Sequence, residues 1–352
     1  MNRRDFLKAV LGTSGLIAVW PAGSARQITK PEWVVVKKPG GVSVNDIHTE
    51  LNPTIVDRIV YPNSLDAIQE TIRSARRDGK VICVAGARHA MGAQQFATRG
   101  VLIDMTAMSR VLNLNPDEGN IEVEAGIQWP QVIGYLLKAQ EGHPKQPSND
   151  EWINLRYLAH TDKEQYFQKV SSHYLSTSGQ LYWSDTHQMG MYIKGYHHQL
   201  DRTLGTPEAS DIPTEIFIPR ESLVDVIDEM REDFRRNRVD LIFGDIGVIQ
   251  QDDESFLAYA RKPWARVSFH THALHNPEGI EHSRQALRRL IDMAVRRGGS
   301  YYLTNHKFAT PEQVKACYPQ FPEFIRLKKK YDPEERFQSD WYCHYKEMFA
   351  DL

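Results

Sequence analysis

The stretch Val81-Ile82-Cys83-Val84-Ala85-Gly86-Ala87-Arg88-His89-Ala90-Met91-Gly92 decides how this chain is read. A short apolar run, rich in β-branched side chains, passes straight into a loop bounded by two glycines, the pattern of a buried strand that ends in a turn. Glycines let a ligand come close to the backbone, and successive N–H groups leaving the strand can converge on anionic oxygens. The loop is therefore a candidate diphosphate cradle. It is not a Walker loop, because no Gly-Lys-Ser/Thr follows, nor is it the dinucleotide G-x-G-x-x-G fingerprint. On these residues alone a surface turn is an equal alternative.

Outward from the loop, strands and helices alternate. Ile55 to Tyr61 reads as a strand broken by Pro62-Asn63-Ser64. Ser64 is placed to cap a helix whose inner face carries Leu65, Ile68, Ile72 and Ala75, and Gly79 to end it. Val101 to Asp104 is the next strand, and the turn cluster Asn115 to Asn120 predicts a hairpin between Val111–Leu114 and Ile121–Glu124. Gly126 leads into a helix from about Trp129 to Gln140. The polar stretch Gln140 to Asp150, with two prolines and a glycine, marks a boundary between a first unit over 26–145 and a second over 150–352.

Beyond that boundary, Trp152 to Tyr196 is rich in Tyr, Trp and His and predicts a helix after a cap at Thr161, then a strand near Gln180 to Ser184. Thr214 to Pro219 is a strand; Ser222 is placed to cap a helix that turns Leu223, Val226, Ile227 and Met230 inward. Strands near Asp240–Gln250 and Ala265–Ala273 precede a helix from Pro277 to Arg297, which Gly298-Gly299 ends. A strand over Ser300–Thr304, two helices and a tail close the chain. The expected class is α+β, with an antiparallel sheet flanked by helices in the second unit.

Composition narrows the function. The 352 residues hold 43 Lys plus Arg against 45 Asp plus Glu, a formal charge of −2, so no net positive field draws the chain to nucleic acid or anionic lipid. With 41% hydrophobic and 25% charged residues the chain is of ordinary globular composition. After the N-terminus no apolar run reaches the roughly 20 residues that span a bilayer. Cys83, Cys317 and Cys343 are too few and scattered for a disulfide framework or a thiolate zinc site.

The first segment, Met1 to Ala25, reads as a removable address. Arg3-Arg4-Asp5-Phe6-Leu7-Lys8 matches the twin-arginine consensus, the apolar run Ala9 to Trp20 follows, and Gly23-Ser24-Ala25 offers a small-residue cleavage site. The implied partner is the twin-arginine translocase, and the implied location periplasmic or extracellular, or membrane-attached where the segment is retained.

The string from Pro62-Asn63-Ser64 through Val81–Gly92, Val101-Leu102-Ile103-Asp104-Met105 and Val123-Glu124-Ala125-Gly126-Ile127-Gln128-Trp129 resembles the first half of the flavin domain of the vanillyl-alcohol oxidase family, the PCMH-type FAD-binding domain. The resemblance implies an FAD diphosphate held by Gly86, Ala87, Arg88, His89, Ala90, Met91 and Gly92, with Gly126 also at the cofactor. It makes His89 the residue of covalent attachment to the flavin or of close contact with it. The sequence departs from the usual G-x-G-H-S pattern, since Arg88 replaces the glycine before the histidine and Ala90 the serine after it.

Thr214-Glu215-Ile216-Phe217-Ile218-Pro219, Tyr302-Leu303-Thr304-Asn305-His306-Lys307 and Tyr331-Asp332-Pro333-Glu334-Glu335-Arg336-Phe337 resemble the substrate domain of the same family, in its sugar-lactone and alditol oxidase branch. The resemblance implies catalytic roles for His306 or Lys307 and a substrate-facing Glu215. The second flavin subdomain, which in the family lies between these parts, has no counterpart at Gln140 to Asp150. Two readings follow: an FAD-dependent oxidoreductase that takes hydride from a CH–OH group of a sugar, polyol or aldonolactone and passes electrons to oxygen or a respiratory carrier, or a flavin-free binding remnant of such an oxidase. A third, a histidine metalloenzyme, rests only on His270 and His272, which at i, i+2 share a strand face but have no further ligand at metal spacing nearby, so no metal site is expected.

Overall fold

The computed structural model describes residues 33–137, 148–176, 178 and 196–350. The segment Met1–Ala25, the strand expected near Gln180–Ser184 and most of the boundary stretch lie outside the described residues.

The first unit is built on a four-stranded sheet of order β1-β2-β4-β3, from β1 (Val34–Val44), β2 (Thr54–Tyr61), β3 (Ile82–Ala85) and β4 (Val101–Asp104). β1 is antiparallel to β2, whereas β2, β4 and β3 run parallel. Parallel neighbours need a crossover, and α1 (Leu65–Arg77) provides it. The Ser64 hydroxyl accepts the Ala67 N–H at 3.2 Å, and Gly79 ends the helix at φ 64°. Small residues face the sheet: Ala67, Thr71 and Ala75 are buried, with Ile68 and Ile72 packed beside them. Leu65, expected on that face, lies off the stripe and is 70% exposed. The opposite face of the sheet packs Val56, Ile59 and Leu102 against Phe96. The hairpin β5 (Val111–Asn115) and β6 (Asn120–Val123) follows, then α2 (Trp129–Leu137).

The second unit begins with α3 (Asn149–Thr161), α4 (Lys163–Ser176) and α5 (Tyr196–Leu204). Thr161 does not start a helix as expected; it ends α3, and Asp162 caps the next one by accepting the Gln165 N–H at 2.9 Å. A fully antiparallel sheet of order β10-β7-β9-β8 follows, from β7 (Ala209–Ile218), β8 (Leu241–Ile249), β9 (Trp264–Leu274) and the short β10 (Ser300–Tyr301). Its core face carries Ile212, Ile216, Val267 and Phe269 against α6 (Leu223–Arg236) and α7 (Pro277–Val295). Ser222 does not cap α6. It ends the 3₁₀ turn Arg220–Ser222 with helical φ and ψ of −88° and −1°, so the chain enters α6 without a break and no N–H turns back to the hydroxyl.

Three helices close the chain, one more than expected: α8 (Pro311–Cys317), α9 (Phe321–Tyr331) and α10 (Asp340–Met348). Between α9 and α10 the backbone returns to the first sheet, with the Ile82 N–H donating to Arg336 O at 2.8 Å and the Gln338 N–H to Ile82 O at 2.9 Å. The architecture is α+β. Among the described residues no helix is long and apolar enough to cross a membrane.

Gly126 closes the first unit. Its N–H donates to Met108 O at 2.9 Å, and a Cβ at this position would lie 1.7 Å from Met105 O, which is backbone and cannot swing aside. Gly126→Ala is expected to cost about 3 kcal/mol through forced backbone movement, read as a lower urea midpoint; an unchanged midpoint would refute this packing role.

Candidate functional site

The glycine loop leaves the C-terminal ends of β3 and β4 with its carbonyls turned inward. Arg88 O accepts the Ile47 N–H at 3.1 Å, Ala90 O the Gln95 amide at 2.7 Å, and Met91 O the Asn52 amide at 2.6 Å. The Gly92 N–H donates to Gln94 Oε1 at 2.9 Å. Among the described residues the N–H groups of Ala87, Arg88, Ala90 and Met91 find no acceptor. A loop that commits its carbonyls to the protein and leaves its N–H groups over is a nest for an anion.

Arg88 and Gly86 show how the loop is held. Arg88 stands at φ 63°, in the left-handed region that favours glycine, and its guanidinium reaches Asp104 Oδ2 at 3.0 Å. Asp104, buried at the end of β4, also accepts from the backbone N–H and hydroxyl of Thr106, at 3.1 and 2.5 Å. Gly86 borders open space, with nothing within 4 Å of where a Cβ would be.

The segment Asn45–Asn52 links the loop to the second unit. His48 Nε2 lies 2.8 Å from His89 Nδ1. Burial first, then the neighbouring imidazole, lowers the His48 pKa to about 4, and burial lowers that of His89, so the pair is neutral at physiological pH. On its other side the segment meets the second unit: Thr49 O accepts from the Ser210 hydroxyl, and Glu50 Oε2 stands 3.3 Å from His198 Nε2.

This junction opens onto the polar face of the second sheet. Strand alternation puts Asp211 and Glu215 of β7, Arg266, Ser268, His270 and His272 of β9, and Phe243 and Asp245 of β8 on the side away from the core. Glu215 pairs with Arg266 Nη1 at 3.0 Å, and Asp245 takes the other guanidinium nitrogen. α3 and α5 cover one end, where Tyr196 donates its hydroxyl to the buried Asp211 and His160 Nε2 stands 3.7 Å from Asp211 Oδ1. Burial pushes the Asp211 carboxyl up to about 6 and the His160 imidazole down to about 4. His272 is the exception: its bond to Asp240 at 3.1 Å raises its pKa.

The expected catalytic residues come from different elements, Glu215 from β7 and His306 and Lys307 from the turn after β10, which begins where the Tyr302 N–H donates to Glu215 O at 3.0 Å. Glu215 lies on the polar face, half-buried, its carboxyl raised first by burial. His306 belongs to the core side: its ring stacks on Tyr301 and Phe308, its Nδ1 accepts the Phe308 N–H at 3.3 Å, and burial lowers its pKa to about 4. The strand expected to deliver it ends at Tyr301, and a turn takes over, whose Thr304 carbonyl accepts the Gln94 amide at 3.1 Å beside Gly92. Lys307, half-buried in that turn, has its pKa lowered by burial. His270 and His272 do share a face, but His270 stacks on Phe243 and His272 is tied to Asp240. Among the described residues the one trio with ligand atoms close enough for a metal is Glu50, His198 and Glu208, mostly exposed.

Sequence reading missed His48, Arg156, His160, Tyr196, His197 and Asp211. The high density of His and Tyr between Trp152 and Tyr196, which carries no spacing rule, was the only signal for His160 and Tyr196, and the other four had none.

Residues 56–148 match the family profile of the FAD binding domain, a stretch that takes in the glycine loop, Gly126 and α2. The chain thus carries a PCMH-type FAD-binding domain, and FAD is the cofactor such a domain binds. The four left-over N–H groups and the open space at Gly86 fit a diphosphate. The function class this domain points to is FAD-dependent oxidoreductase. Because Gly86 has no protein neighbour to strain, Gly86→Val is expected to keep the wild-type unfolding midpoint while losing most bound FAD, measured by visible absorption per chain. Full flavin content in this variant would remove the loop from the cofactor site.

Proposed function

We propose that this protein is an exported FAD-dependent oxidoreductase that takes hydride from a CH–OH carbon of a sugar, polyol or aldonolactone. The observation that carries the reading is the juxtaposition of an N–H nest, in a matched FAD-binding domain, with a sheet face of hydrogen-bonding side chains. FAD, when bound, supplies the hydride acceptor. Everything else falls to the chain.

The loop N–H groups of Ala87, Arg88, Ala90 and Met91 hold the diphosphate, and His89 stands at the flavin, in contact or covalently attached. Glu215, fixed by Arg266, accepts hydrogen bonds from substrate hydroxyls, and Ser268 donates beside it. Lys307 takes the hydroxyl proton: burial lowers its pKa and so raises the fraction of neutral amine. His306, closed in between aromatic rings, sets the position of the Lys307 turn instead of meeting substrate. Oxygen or a respiratory carrier reoxidises the cofactor.

Visible absorption of the purified protein, followed by anaerobic stopped-flow reduction with polyols and aldonolactones, tests the reading. A protein that neither carries nor rebinds FAD is the flavin-free remnant. Lys307→Ala is expected to leave FAD content unchanged and slow flavin reduction by about 10²–10⁴-fold, the range for loss of a general base; reduction at the wild-type rate would remove Lys307 from the chemistry.

Export is proposed on the N-terminal residues alone. Changing Arg3 and Arg4 together to lysine is expected to hold the precursor in the cytoplasm, followed by cell fractionation. Unchanged export of the double variant would discard the twin-arginine route.

A further inference from the structure

The polar face of the second sheet holds two guanidinium groups in opposite situations. Arg266 is neutralised by Glu215 and Asp245. Arg156, which projects from α3 over the same face, has no carboxylate within ion-pair distance and no hydrogen-bond acceptor among the described residues. It is half-buried, with its guanidinium carbon 4.5 Å from the centre of the Phe243 ring and 5.6 Å from that of Tyr196. Two aromatic rings fix the cation without using its five N–H donors. Asp211, whose carboxyl feels the Arg156 charge, takes the Tyr196 hydroxyl on Oδ2 and makes no ion pair with the guanidinium.

Around this cation the imidazoles are neutral. Burial, then the Arg156 charge, lowers the His270 pKa to about 3, and the same two causes lower that of His197 to about 3. The His270 ring stacks on Phe243 at 4.2 Å, and its buried Nδ1 has no partner among the described residues. An orphan imidazole nitrogen and an unmatched guanidinium therefore flank the same aromatic ring. His48, which touches the flavin loop through His89, is close enough to influence His270. His270 and Phe243 lie on the sheet face that also carries Glu215.

We propose that Arg156, with His270 beside it, binds a carboxylate of the substrate, so that the substrate is an anionic hydroxy acid of the sugar-acid type and not a neutral polyol. A guanidinium presents a planar fork that matches a carboxylate with two parallel hydrogen bonds, and His270 Nδ1 supplies a further donor in the corresponding tautomer. The inference rests on the oxidoreductase reading for what happens to the hydroxyl carbon, and on Arg156 alone for the charge.

The test compares matched pairs on the intact flavoprotein: glycolate with ethanediol, tartrate with erythritol, and gluconate with glucitol, by isothermal titration and by anaerobic flavin reduction. The wild type is expected to bind at least one acid about tenfold or more tighter than its neutral partner. Arg156→Gln is expected to weaken that acid by about 10- to 100-fold at unchanged FAD content, the loss typical of a charge-assisted pair, with Arg156→Lys in between. Equal binding of acids and neutral partners by the wild type overturns the proposal, and this arm needs no variant to fold. FAD loss in Arg156→Gln also overturns it, because the cation then serves a cofactor phosphate. Should an acid bind in an Arg156-dependent way while nothing reduces the flavin, the carboxylate site stands and the oxidoreductase reading falls.

Discussion

The buried Asp46 carboxylate organises the junction on which the candidate site depends. An ionised carboxylate away from water must be surrounded by donors, and here they all come from the next six residues. Oδ1 accepts the N–H groups of His48, Thr49 and Glu50 at 3.0, 2.7 and 3.2 Å, while the Thr49 hydroxyl and the Asn52 amide reach Oδ2 at 3.0 Å. Collecting so many donors on one acceptor coils the segment tightly. Glu50 is carried to φ 53° as a result. The coiled segment then has two working sides: Ile47, His48 and Asn52 brace the glycine loop, and Thr49 and Glu50 meet β7 and α5. One carboxylate thereby fixes the distance between a nest of N–H groups and a sheet face.

That sheet divides its labour by the alternation of the strands. Odd-numbered positions of β7 and even-numbered positions of β9 leave the core and carry the charge, while Ile212, Ile216, Val267 and Phe269 anchor the sheet to α6 and α7. Desolvation then sorts the ionisable groups on the polar side. Burial takes the proton from His160, His197 and His270, and His272, hydrogen-bonded to Asp240, holds its own more firmly. What remains at the α3 end of this face is one buried carboxylate, Asp211, and one guanidinium, Arg156, with no ion pair between them among the described residues. The guanidinium, half-buried where the carboxylate is fully buried, is the charge a ligand can reach.

Local structure was largely legible because its signals are local. Ser64, Gly79, the Asn115–Asn120 turn and Gly298 announce element ends through chemistry at one or two positions, and each end lies close to where the residues put it. The errors arose where neighbours decide. Ser222 has capping chemistry but follows a 3₁₀ turn, so helical geometry was already established when the chain reached it. Thr161 lost to Asp162 by one residue. At the site, Gly86 to Gly92 and Glu215 were visible as motif residues, whereas His48 and Arg156 act through partners in distant elements, His89 for the one and Tyr196 and Phe243 for the other, and Asp46 and Asp211 through clusters of donors that follow no period. Periodicity carries no information about such contacts.

The two glycines that sequence alone treats alike, Gly86 and Gly126, differ for physical reasons, and Arg88 explains why the loop survives a departure from its family pattern. Gly126 is small because a carbonyl lies against it, and Gly86 because something outside the chain must come close. Arg88 occupies a left-handed position at a cost of about 1 kcal/mol for a residue with a Cβ. Its ion pair with the buried Asp104, which Thr106 further ties down, holds the backbone in that conformation. Glycine would reach the same φ without strain but would bring no charge. Arginine at this position keeps the turn and ties it to the end of β4, where its charge is matched by Asp104. The positive polarity that the loop offers a diphosphate therefore comes from its backbone N–H groups, which the Arg88–Asp104 pair holds in place, and not from the guanidinium itself.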